Sequence, residues 1–227
     1  MKIATWNVER PSSSSKMRNS KILDALKNID ADILILTETN SWIHPGKEYS
    51  SFATASLTES FSTKGEPYKE GENRVTIWSK YEGNMRMGCC DSRSSICVTV
   101  NTPLGELNVY GTVIGIYGNR DESFNPDLEV QLADWQRLCG VGNVCIAGDF
   151  NISLEDNYYY TKIGRQKISD CFQELKIDAL TRQIPQNIDH IAISESFLKS
   201  VICKTEVWNE DKKLSDHMGV CLTLERS

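Results

Sequence analysis

Two periods of apolar residues alternate along this chain. Lys2 to Val8 alternates and carries β-branched and aromatic side chains, which predicts a first strand ending near Asn7 and Glu9. Arg10 to Ser15, with Pro11 and a run of serines, reads as a loop. From Lys16 to Asn28, Met17, Ile22, Leu23, Leu26 and Ile29 follow a helical stripe. The apolar run Ile33-Leu34-Ile35-Leu36 then ends in Thr37-Glu38-Thr39-Asn40, a second strand. Strand, helix and strand in this order is a βαβ-like opening that places Asn7, Glu9 and Glu38 at one edge of a sheet.

Ser50 to Asn73 is polar and irregular, with a strand expected over Phe52 to Ala55 and a turn over Lys64 to Pro67. Arg74 to Ser79, Ser95 to Val100 and Leu107 to Ile116 carry β patterns. A hairpin turn over Asn101 to Gly105 makes the last two antiparallel neighbours. Asn125-Pro126 opens a helix through Cys139, with Leu128, Leu132, Trp135 and Leu138 on one face. The strand Asn143 to Ala147 delivers Gly148-Asp149-Phe150-Asn151 into a loop. Tyr158 to Tyr160 and Gly164 fall in a loop or short helix, and Gln166 to Leu175 is helical. Strands follow over Ile188 to Ile193, Val201 to Trp208 and Met218 to Leu224, the last preceded by Leu214-Ser215-Asp216-His217.

The strand ends carry the candidate chemistry. Asp149 and Asn151, two apart, project to one side of an extended backbone, where the carboxylate takes a proton and the carboxamide donates to an anionic oxygen. Alone, Gly-Asp-x-Asn is more often a turn. The three tyrosines could stack on a base, but a packed lid is the favoured reading. His190 beside Asp189 reads as structural.

Composition narrows the class. The 227 residues contain no Pro/Gly/Ser-rich linker, so one domain over 1–227 is expected, and no repeat of fixed period is visible. No stretch is apolar enough to span a bilayer and the N-terminus lacks a leader pattern, so a cytoplasmic protein without a membrane span is expected. Of eight cysteines, Cys97, Cys145, Cys203 and Cys221 sit in strand-like runs and read as reduced core thiols. Cys89-Cys90 has neither zinc nor redox spacing. A formal charge of −6 argues against a broad duplex-binding face, since nonspecific DNA affinity is mostly phosphate neutralisation. It leaves room for a small phosphate-bearing substrate, because a cation held by clustered acids reverses the local sign.

Five segments recur in a fixed order: Thr5-Trp6-Asn7, Leu36-Thr37-Glu38, Gly148-Asp149-Phe150-Asn151, Ile188-Asp189-His190-Ile191 and Ser215-Asp216-His217. Together they resemble the endonuclease/exonuclease/phosphatase superfamily, which includes apurinic endonucleases, pancreatic deoxyribonuclease, neutral sphingomyelinases and inositol polyphosphate phosphatases. The resemblance implies an α+β, four-layer α/β/β/α sandwich of two mostly antiparallel sheets packed face to face. It also implies Glu38 as principal ligand of Mg2+, with Mn2+ as substitute, Asn7 nearby and Asp216 close to the metal; hard oxygen ligands suit such ions. Asp149 would orient or deprotonate the attacking water, Asn151 would hold a nonbridging phosphate oxygen, and Asp189 would pair with His217. Whether Asp149 or His217 is the base stays open.

The sequence departs from the family in the central strand, where several branches place His or Tyr against the phosphate and Tyr110 to Ile114 offers Thr and Val. Arg120 is the candidate substitute for that substrate contact, with plain surface solvation the favoured reading of a lone loop arginine. The expected function is a Mg2+-dependent phosphoesterase acting on a phosphodiester, with nucleic acid a candidate substrate and no obligate protein partner. The alternatives are a phosphatase of a phosphorylated small molecule or lipid headgroup, and a noncatalytic binding module on the same fold.

Overall fold

The computed structural model describes residues 1–57, 69–85, 87–115 and 124–227. The expected turn over Lys64 to Pro67 and the candidate substrate contact Arg120 lie outside the described residues.

The first sheet contains β1 (Lys2–Asn7), β2 (Ile33–Asn40), β3 (Ser50–Ala53), β4 (Glu72–Ser79), β11 (Val201–Trp208) and β12 (Gly219–Arg226), in the spatial order β11-β12-β1-β2-β4-β3. The second contains β5 (Gly83–Asn84), β6 (Ser95–Thr102), β7 (Gly105–Val113), β8 (Val144–Asp149), β9 (Ile177–Ala179) and β10 (Asp189–Ser194), in the order β5-β6-β7-β8-β10-β9. Each sheet is antiparallel except for one central parallel pair, β1 with β2 and β7 with β8. Each parallel pair needs a crossover, supplied by the helices α1 (Lys16–Ile29) and α2 (Phe124–Cys139). α3 (Lys162–Leu175) packs beside α2.

Alternation sorts the side chains into layers. Ile3, Ile33, Ile35, Val109, Cys145, Ala147, Ile191, Ile193, Val220 and Leu222 meet between the sheets. On the outer face of the first sheet Ala4, Trp6, Leu34 and Leu36 pack on Ile22, Leu26 and Ile29 of α1. On the second, Tyr110 and Ile146 pack on Leu128, Trp135, Leu138 and Phe172 of α2 and α3. Helix, sheet, sheet, helix is the expected sandwich. Gly111 permits the close approach of the sheets, since a Cβ there would lie 2.8 Å from a Val75 methyl.

Several boundaries differ from expectation. Met17 is 75% exposed; five residues before Ile22, a helix has rotated it away from the buried stripe. α3 begins four residues early because Thr161 Oγ1 accepts the Gly164 N–H at 3.0 Å, placing the cap there and Gly164 inside the helix. The strand expected over Phe52 to Ala55 is shifted to Ser50–Ala53, paired with β4. β8 continues through Gly148 and Asp149, which stay in the ladder opposite His190 and Asp189.

Candidate active site

The inner-face rows of three strands turn polar at one rim. β1 reads Ile3, Thr5, Asn7; β8 reads Cys145, Ala147, Asp149; β10, running the other way, reads Ile193, Ile191, Asp189. Side chains two apart share a face, so the stripe that builds the core delivers Asn7, Asp149 and Asp189 to its end. Gly148 makes this possible. Its φ is 139° and a Cβ would meet Thr112 O at 2.0 Å, so only glycine lets β8 reach the rim against β7.

Glu38 has the wrong parity for this face, since Leu34 and Leu36 point outward. Its backbone corrects the parity. Glu38 takes φ 45°, and the ladder pairs Thr37 with Val75 and Thr39 with Asn73 on either side of it. A left-handed residue in mid-strand rotates the side chain into the cleft, held there by Arg10 N–H donating to Glu38 O at 2.8 Å. Glu9, expected at the same edge, instead turns outward and pairs with Arg18 at 2.8 Å.

Asp149 and Asp189 stand directly opposite each other on neighbouring antiparallel strands. Two carboxylates so placed repel, and the structure compensates with hydrogen bonds and one cation. Asp149 Oδ2 accepts from Asn7 Nδ2 at 3.0 Å and Oδ1 from the Asn151 N–H at 2.8 Å. Asp189 Oδ1 accepts from the Asn7 N–H at 3.1 Å, and Oδ2 from His217 Nδ1 at 2.6 Å. One ligand atom each from Asp149, Asp189 and His217 lie within 4.8 Å of one another. Asn7 Oδ1 accepts the Glu9 N–H at 2.9 Å, so this residue knits β1 to both acids.

Electrostatics follow. Burial, then the charges of Asp189 and Glu38, push Asp149 up to about 7 against the pull of His217. Burial likewise raises Glu38, opposed by His217, Asn7 and Arg74. Burial alone would lower His217, but Asp189 and Asp149 overcome it and hold the imidazolium well above its ordinary value. Nδ1 is committed to Asp189, so Nε2 faces the cleft, 3.7 Å from the exposed Asp216 carboxylate.

The Ser-Asp-His segment is fixed from four sides. Ser215 Oγ donates to Asn7 O at 2.6 Å and accepts the His217 N–H at 3.2 Å. His217 O accepts from Trp6 Nε1 at 3.1 Å and Asn209 Nδ2 at 2.7 Å. Sequence reasoning missed Trp6 and Asn209 as positioning residues, because these bonds go to backbone and leave no motif.

Asn151 reaches the cleft by a route other than extended backbone: its φ is 52°, and Nδ2 donates one hydrogen to Ile114 O at 3.1 Å. An amide carries a second N–H. Thr112, in the strand that departs from the family pattern, donates its hydroxyl to Gln131 of α2 and stays out of the cleft. His190 is structural, as expected: Nε2 donates to Ile152 O at 3.0 Å, Thr181 Oγ1 lies 3.2 Å from Nδ1, and burial lowers it to about 4. All eight cysteines are free thiols. Cys90 has a structural partner that its spacing did not suggest, Asp134, through its N–H at 2.9 Å and Sγ at 3.1 Å.

The cleft has a volume of about 330 Å³. Glu38, Asp149, Asn151, Asp189, Asp216 and His217 line it together with Tyr158, Tyr159, Gln186, Lys212 and Met218. Six of the seven described residues expected at the site thus share one cavity, and the seventh, Asn7, braces it. Among the described residues no helix is long and apolar enough to cross a membrane.

The sequence matches the model of the Endonuclease/Exonuclease/phosphatase family over residues 4–217. No curated protein matches it significantly. Among solved structures, an endonuclease/exonuclease/phosphatase from Beutenbergia cavernae is similar with TM-score 0.71 at 16% identity, covering 100% of this chain and 72% of that one. An AP endonuclease from Archaeoglobus fulgidus gives 0.70 at 15% identity, covering 99% of both chains. The 3′ phosphatase NExo from Neisseria, bound to product DNA hairpin, gives 0.69 at 17% identity, again covering 99% of both. At these identities the likeness shows the fold.

Proposed function

This chain belongs to the endonuclease/exonuclease/phosphatase family, and from that premise we propose that residues 1–227 act as one domain, a divalent-metal-dependent phosphoesterase that cleaves phosphodiester bonds in nucleic acid. One observation carries the reading. Asp149, Asp189 and His217 converge within 4.8 Å in a cleft shared with Glu38. A binding-only surface has no physical reason to bury two facing carboxylates and a charged imidazole.

The donor set fits a hard cation. Glu38, which lines the cleft, would be the principal ligand, as the family resemblance implies, with Asn7 braced against the neighbouring acids and the exposed Asp216 carboxylate 3.7 Å from His217 Nε2. Burial raises the carboxyl groups of Glu38 and Asp149, and a cation beside them would favour their charged forms. Mg2+ is the expected ion and Mn2+ a working substitute. Bound there, it would supply charge neutralisation and polarisation of the scissile phosphoryl oxygen.

The chain's own groups then divide the work. His217, kept charged by Asp189, donates from Nε2 to a phosphoryl oxygen and has no lone pair there to take a proton. Asp149 is therefore the base: buried, raised toward neutrality and oriented by Asn7 and Asn151, it takes the proton of the attacking water. Asn151 offers its second amide hydrogen to a nonbridging oxygen. These donors are in place before charge develops at phosphorus, which is where such sites gain most.

Two neighbours support nucleic acid as substrate class, the AP endonuclease and the phosphatase bound to a DNA hairpin. The test is a panel of single-stranded DNA, duplex DNA, RNA, cyclic nucleotides, phosphoinositides and p-nitrophenyl esters, each with Mg2+ and with EDTA. Metal-dependent cleavage of a nucleic acid is expected. Turnover confined to phosphomonoesters or lipid headgroups would favour a phosphatase, and no turnover at all a binding module.

A further inference from the structure

Two segments that line the cleft, around Tyr158 and around Lys212, are not used by the chemistry above. Resting on the reading of the cleft as a phosphodiesterase site, we propose that Tyr158 and Lys212 form a subsite for one unpaired nucleotide. The ring stacks on the base and the ammonium pairs with a neighbouring phosphate, which makes single-stranded nucleic acid the substrate.

Tyr158 is presented, not merely exposed. Its loop leaves β8 just after Asn151 and is latched along its length. Asp156 Oδ1 accepts the Tyr158 N–H at 3.1 Å and Oδ2 accepts the Gln186 N–H at 2.6 Å. Tyr159 N–H donates to Ser153 Oγ at 3.2 Å, and Arg165 donates to Ser153 O at 2.9 Å and to the Glu155 and Asp156 carbonyls. On this fixed backbone the Tyr158 side chain remains 48% exposed and lines the cavity.

Lys212 arrives from the other sheet, in the turn between β11 and β12. Its backbone is left-handed, φ 52°, and its N–H donates to Asn209 O at 2.9 Å. The same Asn209 holds the His217 carbonyl, so one turn positions both the catalytic imidazole and the lysine. Lys212 Nζ donates to Tyr158 Oη at 2.9 Å and stands 4.7 Å from the ring centroid. An exposed Lys–Tyr contact ordinarily adds little to stability. This one differs in place: both partners line the cavity that holds Asp149 and His217.

Chemistry and size select the occupant. Lys212 is the only lysine or arginine among the described residues lining a cleft otherwise rich in acids and amides. One cation beside the scissile position suits one further phosphate, whereas duplex binding rests on many. The chain as a whole carries −6, against a phosphate-rich duplex. A cavity of about 330 Å³ has room for a single nucleotide, at the small end of ligand sites. Aromatic stacking with a local positive charge is how single strands are held without sequence preference.

The test reads binding rather than turnover. Fluorescence anisotropy follows a labelled single-stranded DNA 12-mer, the same strand with an abasic centre, and the duplex, in EDTA and again with Ca2+. Wild type is expected to prefer the intact single strand over duplex about tenfold. Tyr158→Ala weakens that binding about tenfold and no longer distinguishes the abasic strand, while Tyr158→Phe retains the preference. Lys212→Gln flattens the salt dependence by close to one phosphate's share, about 0.7 in log–log slope. Undetectable single-strand binding in both buffers, equal or tighter duplex binding, or losses from Tyr158→Ala and base removal that multiply independently would overturn the subsite. An inactive protein that shows the expected binding would sink the phosphodiesterase reading and leave this one standing.

Discussion

His217 Nδ1 lies 2.6 Å from Asp189 Oδ2, and the other Asp189 oxygen accepts the Asn7 backbone N–H at 3.1 Å. The carboxylate is pinned from one sheet while it pins an imidazole carried by a loop of the same sheet. Its partner across the ladder, Asp149, is an acid of like charge, so the imidazolium serves two carboxylates at once.

Asp189→Asn would remove most of what keeps His217 charged. The His217 pKa then falls toward its ordinary value, and activity that needs the imidazolium is lost at lower pH as pH rises. A pH–rate series on a phosphodiester should show the alkaline limb displaced downward and kcat reduced by about 10²–10⁴. An unmoved limb would contradict the pairing role.

Asp149→Asn and His217→Ala should each lower turnover by orders of magnitude; Asp149→Asn leaves the unfolding midpoint near wild type, whereas His217→Ala lowers it too, because it strips the facing Asp149 and Asp189 of the cation beside them. Steady-state kinetics beside a thermal melt separates the two effects. Near wild-type turnover in either variant would remove it from the mechanism.

His190 gives the fold an acid limit independent of catalysis. Its folded value of about 4 lies below the ordinary 6.5, because the buried site accepts only the neutral ring. Above pH 6.5 its stabilising contribution is complete; as pH falls toward 4 the unfolded chain binds a proton that the native state refuses, and about 3 kcal/mol is lost. Urea unfolding at a series of pH values should show His190→Gln with a shallower acid slope than wild type. Parallel slopes would contradict this.

Asp134 is fully buried and accepts from the Cys90 N–H, Cys90 Sγ, Tyr110 Oη at 3.2 Å and Arg137 at 2.8 Å. Asp134→Ala leaves the buried Tyr110 hydroxyl with Ser95 alone and removes the acceptor of the Cys90 N–H, and should cost about 1–3 kcal/mol, seen as a lower urea midpoint with unchanged slope. A loss below about 0.5 kcal/mol would mean the cluster relaxes onto water.

The sandwich was legible because its central strands are apolar runs buried on both faces, against the other sheet and against a helix, and β11 was expected over the very residues it occupies, Val201–Trp208. The site was legible for the same reason, since a polar residue ending an apolar alternation has only the rim to face. What escaped was set by contacts without local pattern. The parity of Glu38 depends on one left-handed backbone angle, and the support of His217 by Trp6 is made across 211 positions of chain. Glu9 was placed with the acids of the cleft, but Arg18, nine residues on, was the nearer partner.

Hydrolysis of bis(p-nitrophenyl) phosphate as a function of Mg2+, run in parallel on wild type and Glu38→Gln, tests most directly whether the converging acids hold a cation for phosphodiester cleavage. Wild type should saturate with Mg2+ and fall to background in EDTA, and Glu38→Gln should need far more Mg2+ and remain slower by at least tenfold at saturation. Equal rates with and without metal, or a Glu38→Gln curve that overlays wild type, would contradict the account.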